Sequence, residues 1–438
     1  MQKYERTITA ICTPQGIGAI GIIRISGSDT ISITDKVFCT SKFTSIHDAT
    51  PNMVYHGNIL SDKISESCLM VYFKAPKSYT GEDVVELYCH GGVRLLSSVL
   101  ELILFNGATL AENGEFTKRA FMNGKMALSD AEGVIDLINA ESEAAINAGY
   151  RLMSGQLSSG IRKLTEQLLI GISGLEVALD YPEELEEDTR ASSKIILIKV
   201  LEELKQLYST ADSGKIIKNG INVAIIGAPN VGKSSLLNAI LRDERAIVSE
   251  IPGTTRDTIT ESIIANGIKI NFIDTAGIRE SEDDIEKLGV LRTFKAIDGA
   301  DIIIKVIDAT TNEILDTAFN KTTIEIYNKS DLRSYEGKFM VSAKNGQGID
   351  DLINEIIRLK IDKRILETGE ILTSQRHIDA IRRAIEFIEA ALAVYDTTFS
   401  ECLLVDINAA YIALGEIDGS SASEKIIDDV FSRFCVGK

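Results

Sequence analysis

Residues Gly227-Ala-Pro-Asn-Val-Gly-Lys-Ser234 follow the pattern G-x-x-x-x-G-K-S, a spacing suited to gripping a phosphoanhydride. The glycines let backbone N–H groups wrap a β-phosphate. The lysine reaches the β- and γ-phosphates, and the terminal hydroxyl can ligate Mg2+. On this reading Asn230, Val231, Gly232, Lys233, Ser234 and Ser235 surround the phosphates, with Lys233 as the catalytic cation and Ser234 as a magnesium ligand. Further on, Asp274-Thr275-Ala276-Gly277 offers a carboxylate that can hold Mg2+ through water and a glycine N–H that can sense a γ-phosphate.

Base selection falls to Asn328-Lys329-Ser330-Asp331. A carboxylate at Asp331 can accept two hydrogen bonds from guanine N1–H and its 2-amino group. Adenine offers neither, so the site rejects ATP by leaving a charge unpaired. Ser342-Ala343-Lys344 matches a loop whose backbone meets guanine O6. Between these motifs lies Ile251-Pro-Gly-Thr-Thr-Arg-Asp257, where Gly253 and Thr254 flank the nucleotide and Thr255 would ligate Mg2+ when a γ-phosphate is present. The residue after Asp-Thr-Ala-Gly is Ile278. Its apolar side chain cannot orient an attacking water, so that task falls to another group. Motifs in this order with domain-like spacing imply a GTP-hydrolysing switch that alternates between GTP and GDP.

The elements carrying these residues are legible in the hydrophobic pattern. Strand-like runs at Ile221–Ile226, Ile268–Ile273 and Ile324–Tyr327 each lead into a motif, and strands alternate with helices from about residue 215 to Leu359, as in a parallel α/β domain. Asp212-Ser213-Gly214 reads as the joint before it. Residues 1–115 read as mixed α/β, with strands at Ile8–Cys12, Ile20–Ile25, Val54–Ile59, Cys68–Phe73 and Val84–Cys89 and a helix over Val93–Phe105. Residues 116–214 and 360–438 read as helical. Apolar stripes run through Leu157, Ile161, Leu164, Leu168, Leu175 and Leu179 and through Ile378, Ile381, Ile385 and Ile388, and a helix start is expected at Pro182 ahead of an acidic run, Glu183–Asp188. The expected fold is thus α/β and α multidomain, with a P-loop Ras-like domain at 215–359 inserted into a helical bundle domain. Insertion suits domains whose termini lie close together.

The 438 residues suit two or three domains, and the 45% apolar and 25% charged composition is that of a globular protein. A net charge of −18 counts against indiscriminate nucleic-acid binding, which needs a basic surface, but leaves room for a local RNA-binding patch. No apolar run approaches the roughly 18 residues that span a bilayer, and no long apolar leader opens the chain, so a cytoplasmic location is expected. Cys12, Cys39, Cys68, Cys89, Cys402 and Cys435 contain no C-x-x-C, which argues against a disulfide framework or a thiolate metal site. Cys435-Val-Gly-Lys438 mimics a prenylation box, but glycine, a terminal lysine and the lack of a preceding basic run fit it poorly.

The phosphate loop GAPNVGKSS, IPGTTRD and DTAGIRE resemble the MnmE (TrmE) family of tRNA-modification GTPases. So do TITAICTPQGIGAIGIIRISG, SYTGEDVVELYCHGG, GEFTKRAFMNGKMALSDAEGVIDLI, SQRHIDAI and LGEIDGSSASEKIIDDVFSRFCVGK, so that the resemblance covers nearly the full length. It implies an N-terminal folate-binding and dimerisation domain. It also implies an FAD-dependent partner, MnmG, with FAD held only by that partner. The pair would install an aminomethyl or carboxymethylaminomethyl group at C5 of the wobble uridine of certain tRNAs. The implied one-carbon source is 5-formyl- or 5,10-methylene-tetrahydrofolate, and the implied assembly is a homodimer, with a heterotetramer when the partner joins. The resemblance also implies K+ in place of an arginine finger, with Asn230, Ser249, Ile251 and Thr254 as its ligands. Glu286 matches the catalytic glutamate that orients water; Arg24, Glu86, Lys125 and Lys438 match the folate contacts; and Cys435, near the modification centre, is the candidate catalytic thiol there. Ala19 stands where the family usually has glycine, which could tighten that loop. The alternative is an Era-like GTPase switch in ribosome assembly, which would need no folate chemistry.

Overall fold

The computed structural model describes residues 6–62, 64–180, 182–242, 260–273, 297–311, 320–361 and 370–438. Contacts divide the chain into two compact units. One comprises Met1–Ile135, Leu152–Glu166 and Tyr411–Lys438; the other comprises Asp136–Arg151 and Gln167–Ala410.

In the first unit a seven-stranded sheet has the order β3-β4-β5-β6-β2-β1-β7. Its strands are β1 (Ile8–Ile11), β2 (Ile20–Ser26), β3 (Phe38–Cys39), β4 (Val54–Leu60), β5 (Ser65–Phe73), β6 (Val84–His90) and β7 (Thr109–Leu110). The central pairs are antiparallel and place Arg24 opposite Glu86. Helices α1 (Thr30–Val37) and α2 (Val93–Phe105) cover one face, and their apolar residues join Ile23, Ile25, Met70, Val85 and Leu87 in one core. Helices α3 (Glu115–Met122) and α4 (Leu128–Ile138) follow, and Leu128, Ala131 and Val134 pack with Val430, Phe431 and Phe434 near the other end of the chain.

The second unit holds a five-stranded sheet in the order β12-β11-β8-β10-β9. Strands β8 (Ile221–Gly227), β10 (Ile268–Ile273), β11 (Ile302–Asp308) and β12 (Thr323–Asn328) run parallel, and β9 (Thr260–Ala265) adds an antiparallel edge. All seven residues of β11 are buried, the mark of a strand covered on both faces. Helix α5 (Glu143–Met153) begins in this unit, α6 (Gln156–Asp180) belongs to it from Gln167 and α12 (Ser400–Asp418) as far as Ala410, and between these it holds α7 (Pro182–Tyr208), α8 (Ala211–Asn219), α9 (Lys233–Arg242), α10 (Ile349–Lys360) and α11 (Gln375–Ala393); α13 (Glu424–Ser432) lies in the first unit.

The expected joint at Asp212-Ser213-Gly214 is instead helical, inside α8. Gly214 is a packing residue: a Cβ there would lie 2.0 Å from the Leu372 carbonyl oxygen. The chain breaks at Gly220, where φ is 86°, immediately before β8. Helix α7 does start at Pro182. The two apolar stripes form largely as expected, with Ala178 and Ala384 buried where Leu179 and Ile385 are only half-buried.

Candidate guanine-nucleotide site

Strand β8 ends at Gly227 and the chain turns into α9 at Lys233. A Cβ on Gly227 would meet the Val306 carbonyl oxygen at 2.5 Å, so glycine lets the turn lie close against β11. Asn230 and Gly232 have φ of 65° and 93°, the left-handed region open to asparagine and glycine. The Lys233 ammonium donates to the carbonyl oxygens of Gly227 at 3.0 Å and Ala228 at 2.9 Å. Burial holds its pKa below the ordinary lysine value. Ser234 and Ser235 are exposed in the first turn of α9, where free helix N–H groups favour an anion.

The Asn328-Lys329-Ser330-Asp331 segment is tied to this turn by Asn328, which is only 2% exposed. Its Nδ2 donates to the Val231 carbonyl oxygen at 2.9 Å, and its Oδ1 accepts from the Ala343 N–H at 3.1 Å. One side chain therefore fixes the phosphate loop against the Ser342-Ala343-Lys344 loop. Lys329, at φ 67°, donates to the Asn230 carbonyl oxygen at 3.2 Å and to Asp308. The buried Ser342 hydroxyl donates to Asp331 Oδ1 at 2.8 Å, fixing a carboxylate that is otherwise exposed. Gly232, Ser235, Asn328, Lys329, Asp331, Ala343 and Lys344 share a cleft of about 800 Å³.

Asp308 escapes the motif reading, although it ends β11 directly opposite Asn328 in register. Burial is the largest influence on its carboxyl and would raise the pKa. Hydrogen bonds from Lys329 and from the Thr310 hydroxyl and N–H outweigh burial and hold the pKa below the ordinary value. This anion braces Lys329. Ser249, Ile251, Gly253, Thr254, Thr255, Asp274, Thr275, Ala276, Gly277, Ile278 and Glu286 lie outside the described residues. Among the described residues, no group of three or more His, Cys, Asp and Glu side chains could hold a metal ion.

In the first unit, Arg24 Nε donates to Glu86 Oε1 at 2.8 Å, and the Arg24 guanidinium lies over the rings of Tyr79 and Phe116 at 5.3 and 5.4 Å. Glu86 Oε2 accepts from the Tyr88 hydroxyl at 2.7 Å. The chain's last residues reach this neighbourhood: Cys12 Sγ donates to the Gly437 carbonyl oxygen at 3.1 Å, and Phe116 N–H to that of Lys438 at 3.1 Å. Burial pushes the Cys12 thiol up, while the nearby Arg24 and Lys438 charges pull it down. Cys435 is exposed. Lys125 is exposed as well, and its ammonium donates to the Pro76 carbonyl oxygen at 2.9 Å.

Residues 7–125 match the family model for the GTP-binding protein TrmE N-terminus, and residues 128–435 match that for the MnmE helical domain. The tRNA modification GTPase MnmE of Acetivibrio thermocellus is 42% identical, with 99% of each chain covered. Its namesakes in Finegoldia magna and Clostridioides difficile are 40% and 39% identical, covering 98% and 99% of this chain and 99% of each relative. Among solved structures, a single-residue variant of Aquifex aeolicus Era bound to GDP and AlF4− is 27% identical over 38% of this chain and 65% of its own, with a TM-score of 0.25. With family models and relatives spanning nearly its whole length, the chain belongs to the MnmE family of tRNA modification GTPases.

Proposed function

We propose that GTP hydrolysis in the cleft beside Asn328 drives modification of tRNA at C5 of the wobble uridine. The chain would add an aminomethyl or carboxymethylaminomethyl group together with an FAD-dependent partner of the MnmG type. The observation that supports this reading best is the Asn328 bridge between the phosphate loop and the guanine-binding loops, in a chain of this family.

In this reading the backbone from Asn230 to Ser235 binds the phosphates and Asp331 selects guanine. Lys233 exchanges its two carbonyl acceptors for phosphate oxygens, which repay the cost of its partial burial. Magnesium fits the hydroxyl of Ser234 at the start of α9, joined by Thr255, and K+ fits the side-chain oxygen of Asn230, joined by Ser249, Ile251 and Thr254. Both cations, when bound, neutralise charge that develops on the phosphates. Glu286 is the proposed water-orienting group.

A folate derivative is the proposed ligand of Arg24, Glu86, Lys125 and Lys438. Glu86 accepts one hydrogen bond on each oxygen, so half of a carboxylate's four acceptor positions remain for the guanidine-like edge of a pterin. The proposed domains are folate binding at 1–115, a helical domain at 116–214 and 360–438, and the GTPase domain at 215–359. The proposed assembly is a cytoplasmic homodimer. Among the described residues no helix is long and apolar enough to cross a membrane.

Mass spectrometry of tRNA nucleosides from cells lacking this chain tests the reading. The C5-modified wobble uridine should disappear and return on complementation. An unchanged nucleoside profile accompanied by a ribosome-assembly defect would overturn the proposal.

A further inference from the structure

Two of the nucleotide-sensing segments are joined by a short hairpin. Strand β9 begins three residues after Asp257 of the Ile251–Asp257 loop, and β10 ends at Ile273, one residue before Asp274. Asn266 and Gly267 form the turn at φ of 52° and 76°, a tight two-residue connection suited to these residue types. Strand β10 pairs directly with β8, which carries the phosphate loop. In the sequence the hairpin's open end adjoins the Ile251–Asp257 and Asp274–Gly277 motifs, and its closed end, Asn266-Gly267, lies at the opposite end of the two strands.

That closed end completes a helix cap. Helix α5 starts at Glu143, and its first N–H groups have no partner within the helix. Ser142 caps the Ala145 N–H through its hydroxyl at 3.2 Å. The Ala144 N–H donates outside the helix, to the Gly267 carbonyl oxygen at 3.0 Å. A Cβ on Gly267 would lie 3.3 Å from Glu143 Oε2 and 3.4 Å from Glu143 Cβ, so glycine lets the turn seat against the helix end. A second tie runs beside it: the Lys269 ammonium is 2.7 Å from Glu141 Oε2, with the two side chains 23% and 34% exposed. Ala144 and Ala148 of α5 pack on the apolar core that also contains Ile263, Ile268 and Ile270 of the hairpin.

We propose that the β9–β10 hairpin couples nucleotide state to helix α5, with Gly267, Lys269 and Glu141 as positioning residues. The inference rests on the proposed GTP site. A shift of the hairpin along its axis must either carry the N-terminus of α5 with it or leave the Ala144 N–H uncapped and the Lys269–Glu141 pair open. Both alternatives change the opening free energy of the helix, which amide exchange reads directly.

The test is hydrogen–deuterium exchange on the full chain with GDP and with a non-hydrolysable GTP analogue, followed separately in peptides from α9 and α5. In the wild type, α9 should be protected by either nucleotide, while α5 should exchange at rates differing by about threefold to 150-fold between them, the range expected for losing one partly exposed ion pair and one capping contact. Lys269→Glu should shrink the α5 difference, leaving only the share carried by the Gly267 cap, but preserve nucleotide protection of α9. The exchanged pair, Lys269→Glu with Glu141→Lys, should restore it, which a simple loss of stability would not do. Equal α5 exchange in both nucleotides with α9 protected would overturn the coupling, as would an undiminished difference in Lys269→Glu. Failure of either nucleotide to protect α9 would instead remove the GTP site and the inference with it.

Discussion

Replacing Asn328 by alanine should separate the phosphate loop from the proposed guanine-binding loops while leaving the other motif residues, Lys233 and Asp331 among them, in place. The Val231 carbonyl and the Ala343 N–H would each lose the partner now at 2.9 and 3.1 Å. At about 1–1.5 kcal/mol net per bond, the loss is about 2–3 kcal/mol. Expressed wholly in binding, that is a fall of about 30- to 150-fold in GDP affinity. Titration calorimetry on Asn328→Ala measures it. Gly232→Ala supplies an internal control, because its Cβ would lie 2.4 Å from Asn328 Nδ2 and must displace that group. Since both changes break the same contact, the double variant should cost less than the sum of the singles, by about 1 kcal/mol or more. An affinity for Asn328→Ala within about threefold of wild type, or strict additivity in the double variant, would refute the proposed tie.

Two further outcomes follow from the proposed chemistry. GTP hydrolysis should run faster in KCl than in NaCl at equal ionic strength, and Asn230→Ala should abolish the difference; equal wild-type rates in the two salts would reject K+ as the neutralising charge. Cys435→Ser should keep GTP hydrolysis near wild type yet abolish wobble-uridine modification in cells, because a hydroxyl cannot stand in for a thiolate. Normal modification in that variant would remove the thiol from the chemistry.

Three of the four parallel strands were legible because each is an apolar run that leads into a motif: Ile221–Gly227 before Lys233, Ile268–Ile273 before Asp274, Thr323–Asn328 before Asp331; β11 leads into none. Strands β3 and β7 were not legible, since two residues carry no periodicity. Asp212-Ser213-Gly214 misled because small and polar residues mark loops by frequency, whereas Gly214 is small to admit the Leu372 carbonyl. Within the site, the motif gave Asn328 a place but not its task, which depends on Val231 and Ala343 approaching from distant stretches of chain. Asp308 carries no local signature at all. Its role exists only through the register that sets β11 against β12. The cap that Gly267 provides for α5 was equally hidden, being a contact between segments more than a hundred residues apart.

The docking of residues 430–438 bears on how the chain is made. Val436 bridges to Asn113, Gly437 accepts from Cys12, and Phe431 and Phe434 complete the small core beside Leu128. These contacts close loops of more than three hundred residues, the kind of non-local pairing that slows folding. During vectorial synthesis the β1–β7 sheet emerges first, yet the face that receives the tail waits while the entire GTPase segment is translated. At roughly 5–20 residues per second that interval lasts tens of seconds. The first unit to leave the ribosome is therefore the last to be finished, and until then Leu128 and its neighbours are a surface for a chaperone to cover.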